Sequence, residues 1–133
     1  MGDLVCTVEL NVTGGITVTI DNPDGKIKQT MAFNGTTIIT TVADTSDTTK
    51  TSTITQKTDA VEIKCKNFKV EAETIDCKST KTTKHTSEDT FDIKATKDCT
   101  VTGEAKIVLK ATGDLEGSGG NVKIKAVTEL KGD

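Results

Sequence analysis

Val61-Glu62-Ile63-Lys64-Cys65-Lys66-Asn67-Phe68-Lys69-Val70-Glu71-Ala72-Glu73-Thr74-Ile75-Asp76-Cys77 is the stretch that decides the fold. Small or apolar residues alternate with polar ones, and a polar turn follows every third inward residue. The same unit recurs as Val61-Ile63-Cys65, Phe68-Val70-Ala72, Ile75-Cys77-Ser79, Thr83-His85-Ser87, Phe91-Ile93-Ala95, Cys99-Val101-Gly103, Ile107-Leu109-Ala111, Leu115-Gly117-Gly119 and Val122-Ile124-Ala126. Unit starts advance by 7, 7, 8, 8, 8, 8, 8 and 7 residues. Alternation of period two marks a strand with one face turned inward. A short fixed period means stacked, equivalent strands. One inward face spans roughly 13 Å, four steps of about 3.3 Å. That is too short for a broad sandwich sheet and suits one side of a slim triangular prism.

Two versions of the prism satisfy this pattern. One chain coils alone with three units per turn, or three identical chains intertwine and each gives one strand to every layer. The intertwined homotrimeric β-helix is the expectation. A lone chain of this length leaves a thin core and open ends, and small cores are marginal.

Working back toward the N-terminus, the alternating runs lengthen. Leu4, Cys6, Val8, Leu10 and Val12 form one, and Ile16, Val18 and Ile20 the next, with Gly14-Gly15 between them as a two-residue hairpin signal. Asn22-Pro23-Asp24-Gly25 is a turn in which Pro presets φ and Gly accepts a positive φ. Ile27 to Phe33 makes a further strand, Asn34-Gly35 ends it, and Thr36 to Val42 follows. Residues 1–44 therefore read as an N-terminal β-hairpin cap, and residues 45–133 as a β-helical shaft and tip. Ser52-Thr53-Ile54-Thr55-Gln56 alternates well enough to join the shaft rather than a linker. No segment keeps a helical apolar stripe, and the whole chain reads as all-β.

Composition fits a narrow interior. Aromatic residues make up 2%, with no Trp or Tyr, so no wide core can be filled by large rings. Thr supplies 27 of 133 residues; it is β-branched, and its hydroxyl suits a half-buried strand face. All 17 basic residues are Lys, interspersed with 20 acids for a net charge of −3. A nucleic-acid surface needs a basic stripe and usually Arg, so that partner class is set aside. A lone His85 and unpatterned carboxylates offer acid–base catalysis little, and the expectation is a non-enzymatic protein with no cofactor. No secretory signal pattern opens the sequence, and no apolar run approaches the roughly 18 residues of a membrane span.

The units at Val61 to Cys77, and again Ala105-Lys106-Ile107-Val108-Leu109-Lys110-Ala111-Thr112-Gly113-Asp114-Leu115, resemble the C-terminal needles of contractile phage tail spikes. They look equally like the needle of type VI secretion spikes of the VgrG kind. The resemblance covers about the second half of the chain and implies a trimeric β-helix. It further implies a structural, membrane-piercing role in a virion baseplate or a cytoplasmically assembled injection apparatus. The implied partners are two further copies, a baseplate hub protein and, transiently, the target envelope. Two features depart from that class. Many short spikes carry a His-x-His pair that holds iron near the tip, whereas this sequence ends Thr128-Glu129-Leu130-Lys131-Gly132-Asp133, so a separate tip-capping protein is the implied substitute. The usual N-terminal barrel also exceeds 44 residues, so the cap is a reduced one.

Individual residues have competing readings. His85 takes an inward place; three copies on an axis can bind a metal or an anion, or form a hydrated polar layer with Thr83 and Ser87. Cys65, Cys77 and Cys99 pack as small apolar groups, and none of the four cysteines has the close spacing of a zinc site. Gly113, Gly117, Gly119 and Gly120 either taper the rod or loosen a loop. Thr17-x-Thr19 and Thr51-x-Thr53-x-Thr55 raise ice binding, which needs such motifs repeated in register on one side. A different function class is a glycan-binding β-solenoid or fibre module, which needs an aromatic or carboxylate cluster on one outer face.

Overall fold

The computed structural model describes residues 3–123 and 125. Ile124 and Ala126, the last two inward residues of the final unit, lie outside the described residues. The chain is all-β, with no helix among the described residues. It divides into two units, Met1–Lys78 and Ser79–Asp133.

The first unit holds six strands: β1 Val5–Asn11, β2 Gly15–Asn22, β3 Ile27–Phe33, β4 Ile38–Asp44, β5 Thr51–Gln56 and β6 Val61–Lys64. They form one antiparallel sheet in chain order, each strand beside its predecessor. The first four follow the alternation of residues 1–44. The ladder then runs on through β5 and β6, so residues 51–64, assigned to the shaft on sequence grounds, are hydrogen-bonded into this sheet.

Short polar turns make the meander possible. The Asn11 carboxamide oxygen accepts bonds from the Thr13 and Gly14 amides at 2.9 and 3.0 Å. Asn34 does the same for Thr36 and Thr37 at 3.0 and 2.8 Å, and Asp44 for Ser46 and Asp47 at 2.8 and 3.0 Å. Asn22 accepts from Gly25 at 2.9 Å. Each of these residues ends a strand or, for Asn34, directly follows one, and its side chain satisfies turn amides that would otherwise be left unpaired. The first turn differs from the two-residue hairpin expected at Gly14-Gly15. Asn11 pairs with Gly15, so residues 12–14 form the loop. Gly15 has φ +86°, and a Cβ there would run into the Phe33 carbonyl. The turn is longer because Asn11 closes it with its own side chain.

Register gives the sheet two unlike faces. On one side Val8, Val18, Met31, Thr40, Ile54 and Ile63 stand in a row across all six strands. The adjacent row is Leu10, Ile16, Phe33, Ile38, Gln56 and Val61. On the other side Thr7, Thr19, Thr30, Thr41 and Thr53 line up across five strands. This threonine side is half-buried from β2 to β5. On the same strands the aliphatic side is somewhat more open, with Ile16 43% and Ile54 43% exposed while Val18, Ile20 and Thr40 are half-buried, and on the edge strand β1 both sides are exposed.

After β6 no strand ladder forms among the described residues from 65 on. In the first unit this run bends at 66 and 73. In the second unit it bends at 80–81, 88–89, 96–97, 104–105, 112–113 and 119–120. Each bend falls after the third inward residue of a repeat, or at it in the Leu115 unit, so the backbone keeps the period read from the side chains.

Among the described residues no apolar side chain is buried. The accessible surface is 13236 Å², where a compact monomer of this mass exposes about 6,700 Å².

Candidate functional surfaces

The corners of the repeat share one geometry. Ser79 Oγ donates to the Thr82 carbonyl at 3.0 Å, and Ser87 Oγ donates to the Thr90 carbonyl at 2.9 Å. The same hydroxyls accept from the Lys81 and Asp89 amides at 3.4 and 3.3 Å. A Cβ placed on Gly103 would meet the Lys106 carbonyl at 2.8 Å. In all three units the third inward residue faces the carbonyl three positions on. That place lies inside the bend, where only a small side chain fits. Its occupants are Cys65, Ala72, Ser79, Ser87, Ala95, Gly103, Ala111 and Gly119, and Ala126 continues the series in sequence.

The first two inward places carry the bulk: Val61 and Ile63, Phe68 and Val70, Ile75 and Cys77, Phe91 and Ile93, Cys99 and Val101, Ile107 and Leu109, then Leu115 and Val122. All are exposed in the lone chain, Ile93 by 68% and Leu109 by 70%. Hydrophobic side chains at regular spacing on an extended backbone form a surface that monomeric proteins rarely leave in water.

His85 lies beside the next unit, its ring centroid 6.0 Å from that of Phe91 and tilted by 32°. Among the described residues of one chain, no group of His, Cys, Asp or Glu is placed to hold a metal. The four cysteines are free; Cys6, Cys77 and Cys99 are exposed and Cys65 is half-buried. Cys6 pairs with Ile20 on the aliphatic side of the sheet, so all four thiols lie on aliphatic or inward positions.

The β4–β5 turn holds two carboxylates fixed by their own hydrogen bonds. The Ser46 hydroxyl and amide, both bonded to Asp44, hold its carboxyl below the usual range. Asp47 is lowered in the same way by the Thr49 hydroxyl and amide and by Lys50, whose ammonium lies 3.2 Å from it. These bonds stabilise the charged form and close the turn. A hollow of about 590 Å³ lies at one end of the sheet against Phe33, Ile38, Gln56 and Val61, with Lys57 the one charged residue in its lining.

Two features escaped the sequence reading. The side-chain caps at strand ends are signalled by Asn-x-Thr at 11–13 and 34–36, and by Asp-x-Ser/Thr at 44–46 and 47–49. The second is continuity between sheet and repeat: Val61 and Ile63 belong to both, and only the pairing of β6 with β5 shows it. Comparison of the chain with protein-family models, with curated proteins and with solved structures gives no match.

Proposed function

We propose that this protein is the central spike of a contractile phage tail or a related injection machine, an intertwined homotrimer whose repeats form a β-helical shaft. The observation that carries the reading is the run from residue 65. Among the described residues it bends at the repeat period, exposes its aliphatic places and forms no ladder of its own. Extended backbone without a partner strand leaves amides and carbonyls to water. A chain coiling alone with three units per turn pairs the Thr83 unit with the Ile107 unit, and no such ladder is present among the described residues. Two further copies supply both missing elements: neighbouring strands for the backbone, and apolar surface for Val, Ile, Leu and Phe.

The role is mechanical. With its backbone groups in ladders, a three-chain prism resists bending and fraying. Its outer places carry Lys, Glu, Asp and Thr, which are costly to hold in lipid. Passage through a membrane is therefore driven by contraction of the apparatus, not by partition of the spike. A hub holds the N-terminal end, and a separate protein caps the tip.

Light scattering on the purified chain tests the assembly. The expected mass is three times 14.1 kDa, roughly 42 kDa, and the mass of one chain overturns the proposal. Gold-labelled antibody on intact particles tests the role. Label at the tail end distal to the head supports it, whereas label along side fibres or none overturns it.

A further inference from the structure

We infer that the aliphatic face of the N-terminal sheet packs against the same face of two further copies, around the axis that the shaft continues. This inference rests on the spike reading and assigns the sheet a part in it. Instead of a cap that merely attaches to a hub, the sheet becomes the clasp that brings three chains together, with its threonine face turned outward.

Continuity carries the inference. The row that crosses the sheet from Val8 ends at Ile63, and the adjacent row from Leu10 ends at Val61. Val61 and Ile63 are also the first two inward places of the first repeat unit. A strand has only two faces, and a given side chain points to one of them. If those two residues face the axis in the shaft, the sheet bonded to them through β6 presents its aliphatic side to the same axis.

Charge argues for a copy of this chain as the occupant. The two long aliphatic rows contain no charged residue. The one charged strand residue on that side, Asp44 opposite Ile27, stands outside both rows with its carboxylate bonded into the β4–β5 turn, so the rows themselves meet without burying like charges, which would be costly. The opposite side carries Glu9, Asp21, Lys28, Glu62 and Lys64. That side suits water or a polar hub.

Cys6 lies in the sheet, and Cys77 and Cys99 lie in the shaft, so the native thiols report the two regions separately. The full chain is treated with N-ethylmaleimide, and labelled cysteines are mapped by mass spectrometry against a guanidinium-unfolded control. Alongside a trimeric mass, Cys6 is expected to be as protected as Cys77 and Cys99, while Lys28→Cys on the outward face, at an exposed position, labels fully. A trimer in which Cys6 labels and Cys77 and Cys99 do not overturns the inference and leaves the spike reading standing. A monomer with every thiol labelled overturns both. As a second measurement, Met31→Asp in the middle of the face is expected to raise the concentration at which the trimer dissociates by about a hundredfold or more. An unchanged concentration also overturns the inference.

Discussion

The sheet and the repeat run have the same alternating sequence character but satisfy their backbones differently. In β1–β6 each strand has a neighbour from its own chain, because short polar turns return the backbone after six to eight residues. From residue 65 the chain bends at each turn signal, and no strand ladder forms among the described residues. The contrast lies at the corners. Asn11, Asn34 and Asp44 each gather two turn amides on one side-chain oxygen. Ser79 and Ser87 instead reach a carbonyl three residues on. A strand end closed by an Asx side chain makes a hairpin and an in-chain ladder. A small residue inside an open bend gives no such ladder among the described residues.

The largest effect expected from breaking this contrast comes from Ile93→Asp. In an unpartnered run the change would cost almost nothing. In the shaft it puts three carboxylates and three lost aliphatic groups into one layer, costing more than about 3 kcal/mol per copy and abolishing the trimer in light scattering. Lys94→Asp, one place along on the outer side, stays within about 0.5 kcal/mol in thermal unfolding followed by circular dichroism.

Glycine changes sharpen the comparison at a smaller scale. Gly15→Ala combines a left-handed backbone with a collision at the Phe33 carbonyl, and is expected to lower stability by about 2 kcal/mol. Gly103→Ala meets the Lys106 carbonyl inside a corner, and about 1–2 kcal/mol is expected in urea unfolding. Gly113→Ala has no atom within 4 Å; it should be neutral or slightly stabilising. Equal effects at 103 and 113 would show that the corners are not tight.

Acidification has the smallest expected effect and acts on the sheet. The folded-state pKa values of Asp44 and Asp47 lie below the ordinary 3.8. Their contribution is therefore fully present above the unfolded-state value and is lost as pH falls through the folded one. Unfolding midpoints should decline in that acidic range, and Asp44→Asn with Asp47→Asn should flatten the decline. An undiminished slope in the double variant would assign acid sensitivity to other carboxylates.

Much of the strand content was readable because period-two alternation is a property of consecutive residues. Ile27 to Phe33 agrees with β3 to the residue, and Ser52 to Gln56 falls within β5. Corner spacing was readable for the same reason, since a bend follows wherever the inward series breaks. The loop at 12–14 was misjudged as a tighter hairpin because glycine is a strong local signal, while the Asn11 cap acts through three residues. The extent of the sheet was not legible. Val61 and Ile63 look alike whether they pair with β5 or with another chain.

The sequence by itself determined that the fold is all-β and that polar turns break its second half every seven or eight residues. These are local matters: side-chain branching, alternation and the space inside a bend act over a few neighbouring positions. Only the tertiary structure decided that residues 51–64 join the sheet, and that the sheet's aliphatic side is the one shared with Val61 and Ile63. Register between distant strands does that, because a shift of one residue turns every side chain to the opposite face.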